Sequence, residues 1–124
     1  MSRIALGTAP AAVPLSLGIK SGAIVQVAGQ IPAGPDGRAV ATTVAEQTEQ
    51  TLANVAAVLA EGGASLIDVV MMRVYLTDVA HFAEMNEAYR RAVPEPFPAR
   101  TTLYVGLPPG ILVEIDALAV LDTP

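Results

Sequence analysis

The 124-residue chain has no cysteine, a single histidine, and only seven lysines and arginines. Without cysteine there is no thiol nucleophile, no disulfide and no thiolate metal site. One histidine cannot build a histidine metal cluster, and His81 is expected as a surface residue at the start of a helix. The few basic residues form no stripe of the kind that displaces phosphate counterions, and the formal net charge is −5. Nucleic-acid binding is disfavoured on both counts. No apolar run approaches the roughly 20 residues that span a bilayer. The glycines form neither a GxGxxG nor a P-loop pattern. Met1-Ser2-Arg3-Ile4 opens no signal-peptide pattern, so a cytoplasmic protein is expected.

What is present is apolar. Hydrophobic residues make up 52%, charged residues 15%, and mean hydropathy is +0.50. One domain over residues 1–124 is expected. The surplus of apolar surface suggests subunit contacts.

Turn signals and periodicity divide the chain. Ile24 to Ala28 reads as a buried strand, with another through Leu15 to Lys20 before the Ser21-Gly22 turn. Thr43 and Glu46 form a capping-box pattern. Val44, Thr48, Leu52, Val55 and Leu59 then recur at helical spacing, and Gly62-Gly63 stops the helix. Val69 to Leu76 is a strand apolar on both faces. Val70, Met72, Val74 and Leu76 line one side, and Val69, Met71, Arg73 and Tyr75 the other. Helices on one face leave the second face for another subunit. Asp78 caps a second helix with Phe82, Met85, Tyr89 and Val93 inward, and Pro94 and Pro96 end it. Strands over 99–105 and 111–121 follow, joined by Gly106-Leu107-Pro108-Pro109-Gly110. The order β-β-α-β-α-β-β predicts an α+β fold, a mixed sheet with two helices on one face.

Arg100 is the residue that asks for an explanation. It stands in an apolar strand, and a partly buried guanidinium costs several kcal/mol unless acceptors or an anion meet it. If the last two strands form a hairpin with Val105 opposite Ile111, Thr102 faces Glu114 and Arg100 faces Asp116. Arg100 then reaches Glu114 diagonally. It could hold a substrate carboxylate through its planar fork while Glu114 orients or deprotonates a water. The structural alternative has equal standing on these residues: Glu114 and Asp116 simply neutralise Arg100 and Arg73. Asn86 on the second helix reads as a solvent-facing or capping residue, and Met71-Met72 as core or interface packing.

Several segments together are similar to a known family. They are Gly29-Gln30-Ile31-Pro32, the Gln47-x-x-x-Thr51-Leu52-x-Asn54-Val55 helix, Asp68-Val69-Val70, Val74-Tyr75-Leu76-Thr77-Asp78, Phe82-x-x-Met85-Asn86-x-x-Tyr89, Phe97-Pro98-Ala99-Arg100-Thr101 and Val113-Glu114-Ile115. The chain resembles the RidA (YjgF) family of reactive enamine and imine deaminases. The resemblance implies a chorismate-mutase-like fold and a homotrimer with clefts between subunits. It also implies hydrolysis of 2-imino or 2-enamino acids to 2-oxo acids and ammonia, without metal or cofactor. By position Arg100 would grip the substrate carboxylate, Glu114 would position water, and Gly29 and Asn86 would border the cleft. Three positions depart from the pattern: Leu15 replaces a tyrosine, Ala28 a serine, and Thr102 a frequent cysteine. They imply a more apolar cleft wall without a phenol, suited to bulkier or more apolar substrates. A non-catalytic binder of small carboxylates is the alternative, strengthened by Leu15. A ribonuclease is opposed by the charge, and a chaperone-like surface role would not depend on Arg100.

Overall fold

A computed structural model describes residues 2–123. Six strands form one sheet: β1 (Ile4–Leu6), β2 (Gly18–Ser21), β3 (Ile24–Gln30), β4 (Val69–Leu76), β5 (Ala99–Tyr104) and β6 (Val113–Val120). Their spatial order is β1-β2-β3-β6-β4-β5, antiparallel except for the parallel β4–β5 pair. Two helices, α1 (Val44–Glu61) and α2 (Phe82–Ala92), cover one face. The α+β reading with helices on one face of a mixed sheet is therefore correct, and β1 is a strand that the sequence reading missed.

Helix α1 forms where its signals lie. The Thr43 hydroxyl accepts from the Glu46 N–H, satisfying one orphan donor. Val44, Thr48, Leu52, Val55 and Leu59 are all buried against the sheet. Gly63 takes the left-handed conformation just past the helix, with φ at 80°. Glu84 of α2 reinforces the same end by accepting from the Ala45 N–H at 3.1 Å. Thr43→Ala should lower unfolding free energy by about 1 kcal/mol. Urea denaturation would show this as an earlier midpoint at unchanged slope.

The hairpin expectation for the last two strands is overturned. β5 runs parallel to β4 at the sheet edge, and β4 lies between β5 and β6. The β4–β5 crossover runs through α2, and because β4 separates β5 from β6 the chain after β5 must cross the end of β4 to reach β6. Gln47, buried on α1, anchors this crossing. Its Nε2 donates to Gly110 O at 2.8 Å and to Ala41 O at 2.9 Å, and its Oε1 accepts from the Leu112 N–H at 2.8 Å. Arg100 therefore sits beside Met72 rather than Asp116, and Thr102 beside Val74 rather than Glu114.

The face assignment of β4 also needs one change. A bulge between Val69 and Met71 shifts parity at the start of the strand, burying Val69 and leaving Val70 48% exposed. From Met72 onward the alternation holds: Met72, Val74 and Leu76 lie in the core, with Arg73 and Tyr75 on the opposite face.

Asp78 caps a 3-10 turn, Val79–His81, accepting from the Ala80 N–H at 2.8 Å, and α2 follows directly. Met85, Tyr89 and Val93 are buried as expected, whereas Phe82 is 40% exposed. It lies at the first position of α2, where the helix overhangs the sheet edge beside Arg100. His81 is half-buried in the 3-10 turn rather than on the surface of the helix.

Candidate functional site

Arg100 is built into a cradle on α2. Parallel neighbours share a face, so pairing with Met72 turns Arg100 toward the helices. Phe82, Met85, Asn86 and Tyr89 lie at helical spacing i, i+3, i+4 and i+7, one stripe of α2. A guanidinium nitrogen of Arg100 donates to Asn86 Oδ1 at 2.6 Å, and another lies 4.0 Å from Met85 Sδ. Its Cζ is 4.9 Å from the Tyr89 ring centroid and 5.8 Å from that of Phe82. Asn86 is thus neither solvent-facing nor a cap but an acceptor for Arg100.

Among the described residues no carboxylate lies within ion-pairing distance of Arg100. The cradle satisfies part of the fork and leaves the charge without a counterion. A cleft of about 250 Å³ opens beside it, lined by Asn86, Tyr89, Arg90, Phe97, Pro98 and Arg100. Thr102 is half-buried on the same side of β5.

Glu114 occupies the other face of the sheet. It pairs across strands with Tyr75, and its i+2 neighbour Asp116 pairs with Arg73. The Arg73 Nε donates to Asp116 Oδ1 at 2.9 Å and the Tyr75 hydroxyl to Asp116 Oδ2 at 2.7 Å. Asp116 is only 8% exposed, so this network satisfies a carboxylate that could not otherwise be buried. Its hydrogen bond and charge raise the pKa of Arg73. Burial, and then Asp116, raise that of Tyr75. The ion-pair alternative thus holds for Arg73 with Asp116 and fails for Arg100.

Gly29 explains how Glu114 has room. A Cβ built on Gly29 would lie 2.9 Å from Glu114 Cδ, with the carboxylate oxygen closer still. Glycine lets the carboxylate lie across the β3 backbone, where β3 and β6 slip register between Val27 and Gln30. Burial pushes the Glu114 pKa above the ordinary carboxylate value, and the charge of Asp116 adds to the shift.

The sequence-predicted site residues therefore fall into two separate groups. Arg100 and Thr102 lie on the helix-covered side, Arg100 against Asn86 of α2, whereas Glu114 lies with Gly29 on the uncovered side. Ala28 is half-buried in β3, its N–H donating to Leu17 O at 2.8 Å. Leu15 is 50% exposed, in a groove with Arg3, Ala5, Pro14, Ser16 and Ile19, away from the cleft beside Arg100. The Arg73–Asp116 pair was one of the sequence alternatives, whereas the Tyr75 hydroxyl on Asp116 and the packing of Tyr89 against Arg100 escape sequence reading. For the Tyr89 contact the visible signal was the stripe Phe82, Met85, Tyr89 and Val93, which reads as ordinary core.

Four similarities to known proteins bear on this geometry. The family model described as Endoribonuclease L-PSP matches residues 6–121. The 2-iminobutanoate/2-iminopropanoate deaminase of Salmonella typhimurium is 38% identical over 122 residues, covering 94% of this chain and 95% of that one. The crystal structure of RidA from the Antarctic bacterium Psychrobacter superposes with a TM-score of 0.87 at 36% identity, covering 96% of this chain and 100% of that one. Escherichia coli TdcF, solved with bound serine, superposes at 0.83 with 34% identity, covering 94% and 98%.

Proposed function

The chain belongs to the Endoribonuclease L-PSP family, the YjgF/RidA family, and on that footing we propose that it hydrolyses 2-imino or 2-enamino acids. The observation that carries the proposal is Arg100: a guanidinium held in place with no carboxylate partner among the described residues. A substrate carboxylate supplies the missing anion, bound through the planar fork. The name of the Salmonella relative supports the reaction.

An iminium carbon is already electrophilic, so orientation contributes most of what the site must supply. Glu114 takes a proton from water as oxygen bonds to the carbon. The carbinolamine then expels ammonia with a proton returned to nitrogen, leaving the 2-oxo acid. Arg100 and Glu114 leave opposite faces of one sheet, so a site using both draws them from two copies. We assign a homotrimer with three such inter-subunit sites. Exposed Ile24, Val70, Leu103 and Val120 provide apolar surface for subunit contacts.

The direct test is release of 2-oxo acid and ammonia from 2-iminopropanoate generated in situ. No rate above buffer would leave the second reading, a binder of small amino or oxo acids, which the serine bound to TdcF favours.

The pH dependence has a definite sign. A raised Glu114 pKa keeps the proton on to higher pH, so the carboxylate that accepts from water forms only above the ordinary range. The rate should fall as pH drops through that raised value. Asp116→Asn removes a neighbouring negative charge, so the limb should move to lower pH. An unmoved limb would separate Glu114 from the proton transfer.

A further inference from the structure

We infer that Tyr89 is a positioning residue for Arg100, acting through its ring face and not its hydroxyl. The inference rests on the proposed reading that Arg100 binds the substrate carboxylate. Long arginine side chains rotate freely unless something fixes them, and a bidentate clamp works only in a fixed plane.

Two restraints on α2 fix this one. Asn86 Oδ1, 2.6 Å from a guanidinium nitrogen, sets the direction of the fork. The Tyr89 ring, 4.9 Å from Cζ, holds the cation over its negative face. It is the nearer of the two aromatic contacts, since Phe82 stands at 5.8 Å. Tyr89 is itself immobilised, being 4% exposed and packed against Phe97 with ring centroids 6.4 Å apart. The Phe97 ring in turn receives Arg90 at 5.8 Å.

The hydroxyl contributes nothing visible to this arrangement. Tyr89 Oη is buried with no hydrogen-bond partner among the described residues. Removing such a group is neutral or stabilising, because no protein partner is left unpaired. Tyr89→Phe is therefore a clean starting point.

The experiment is a fluorination series at position 89 in the full-length protein: phenylalanine, then 4-fluoro-, 3,5-difluoro- and 3,4,5-trifluorophenylalanine. Fluorine drains the negative ring face with little change in shape, so the fold is kept. The readouts are Kd for pyruvate by calorimetry, and KM and kcat for 2-iminopropanoate. Tyr89→Phe sets the reference for the series, and a loss in it as large as that of the trifluoro ring would overturn the exclusion of the hydroxyl. Kd and KM should then climb stepwise with fluorine, reaching about 10-fold at the trifluoro ring, within the span of one cation–π contact. The kcat should hold steady. A flat series overturns the role of Tyr89. Arg100→Ala measured alongside separates the two failures. If that variant binds and turns over normally, the carboxylate reading itself has failed; if it is dead and the series is flat, only Tyr89 has.

Discussion

Arg100→Ala should lower kcat/KM for 2-imino acid hydrolysis by about 10²- to 10³-fold, equivalent to roughly 3–4 kcal/mol, the range for losing one side of a desolvated charge pair. The carboxylate is the one fixed charge on every 2-imino acid, and without the guanidinium its desolvation goes uncompensated. The fold should survive. Arg100 lies on an edge strand, is half-buried, and anchors no ion pair among the described residues. Thermal unfolding should therefore shift little while activity collapses. Arg100→Lys keeps the charge but loses the fork and its contact with Asn86, so it should recover only part of the rate. Full activity in Arg100→Ala, with unchanged KM, would remove Arg100 from the site.

Mixing two inactive variants should restore activity. Arg100→Ala and Glu114→Gln each spoil one half-site, and the half-sites lie on opposite faces of the sheet. In a ring with head-to-tail interfaces, each complete site joins one face of a subunit to the other face of its neighbour. A Glu114→Gln subunit still offers Arg100, and an Arg100→Ala subunit still offers Glu114. With equal amounts and random assembly, about one site in four receives both intact residues. Refolding the mixture should thus give about a quarter of wild-type activity from two preparations that have almost none. Mixed oligomers that form and remain inactive would mean that the two residues do not share a site between copies.

Both predictions depend on a fact that local sequence did not carry. Arg100 was legible as a charge in an apolar strand, and Glu114 as a carboxylate on a nearby one. Their relation was misjudged because consecutive strands usually pair, and the short Gly106–Gly110 connection looked like a hairpin. The parallel β4–β5 pairing and the Gln47 anchor decide otherwise. The same local reading took Phe82 for core. Its exposure depends on where α2 begins relative to the sheet edge, a distance set by other elements. The bulge at Val70 was equally invisible, because alternation in an all-apolar stretch looks the same in either parity.

The sequence by itself determined the elements: α1 with its Thr43 cap and glycine stop, the buried stripe of α2, the apolar strands, and the need of Arg100 for an acceptor. These follow from residue chemistry within a few positions of one another. Only the tertiary structure decided which neighbours each strand has. It turned Arg100 onto the α2 cradle without a carboxylate and set Glu114 over Gly29 on the far face, with Asp116 given to Arg73. The physical reason is that strand order and face are fixed by burying the whole sheet under two helices. That condition is met by all six strands at once and is written in none of them singly.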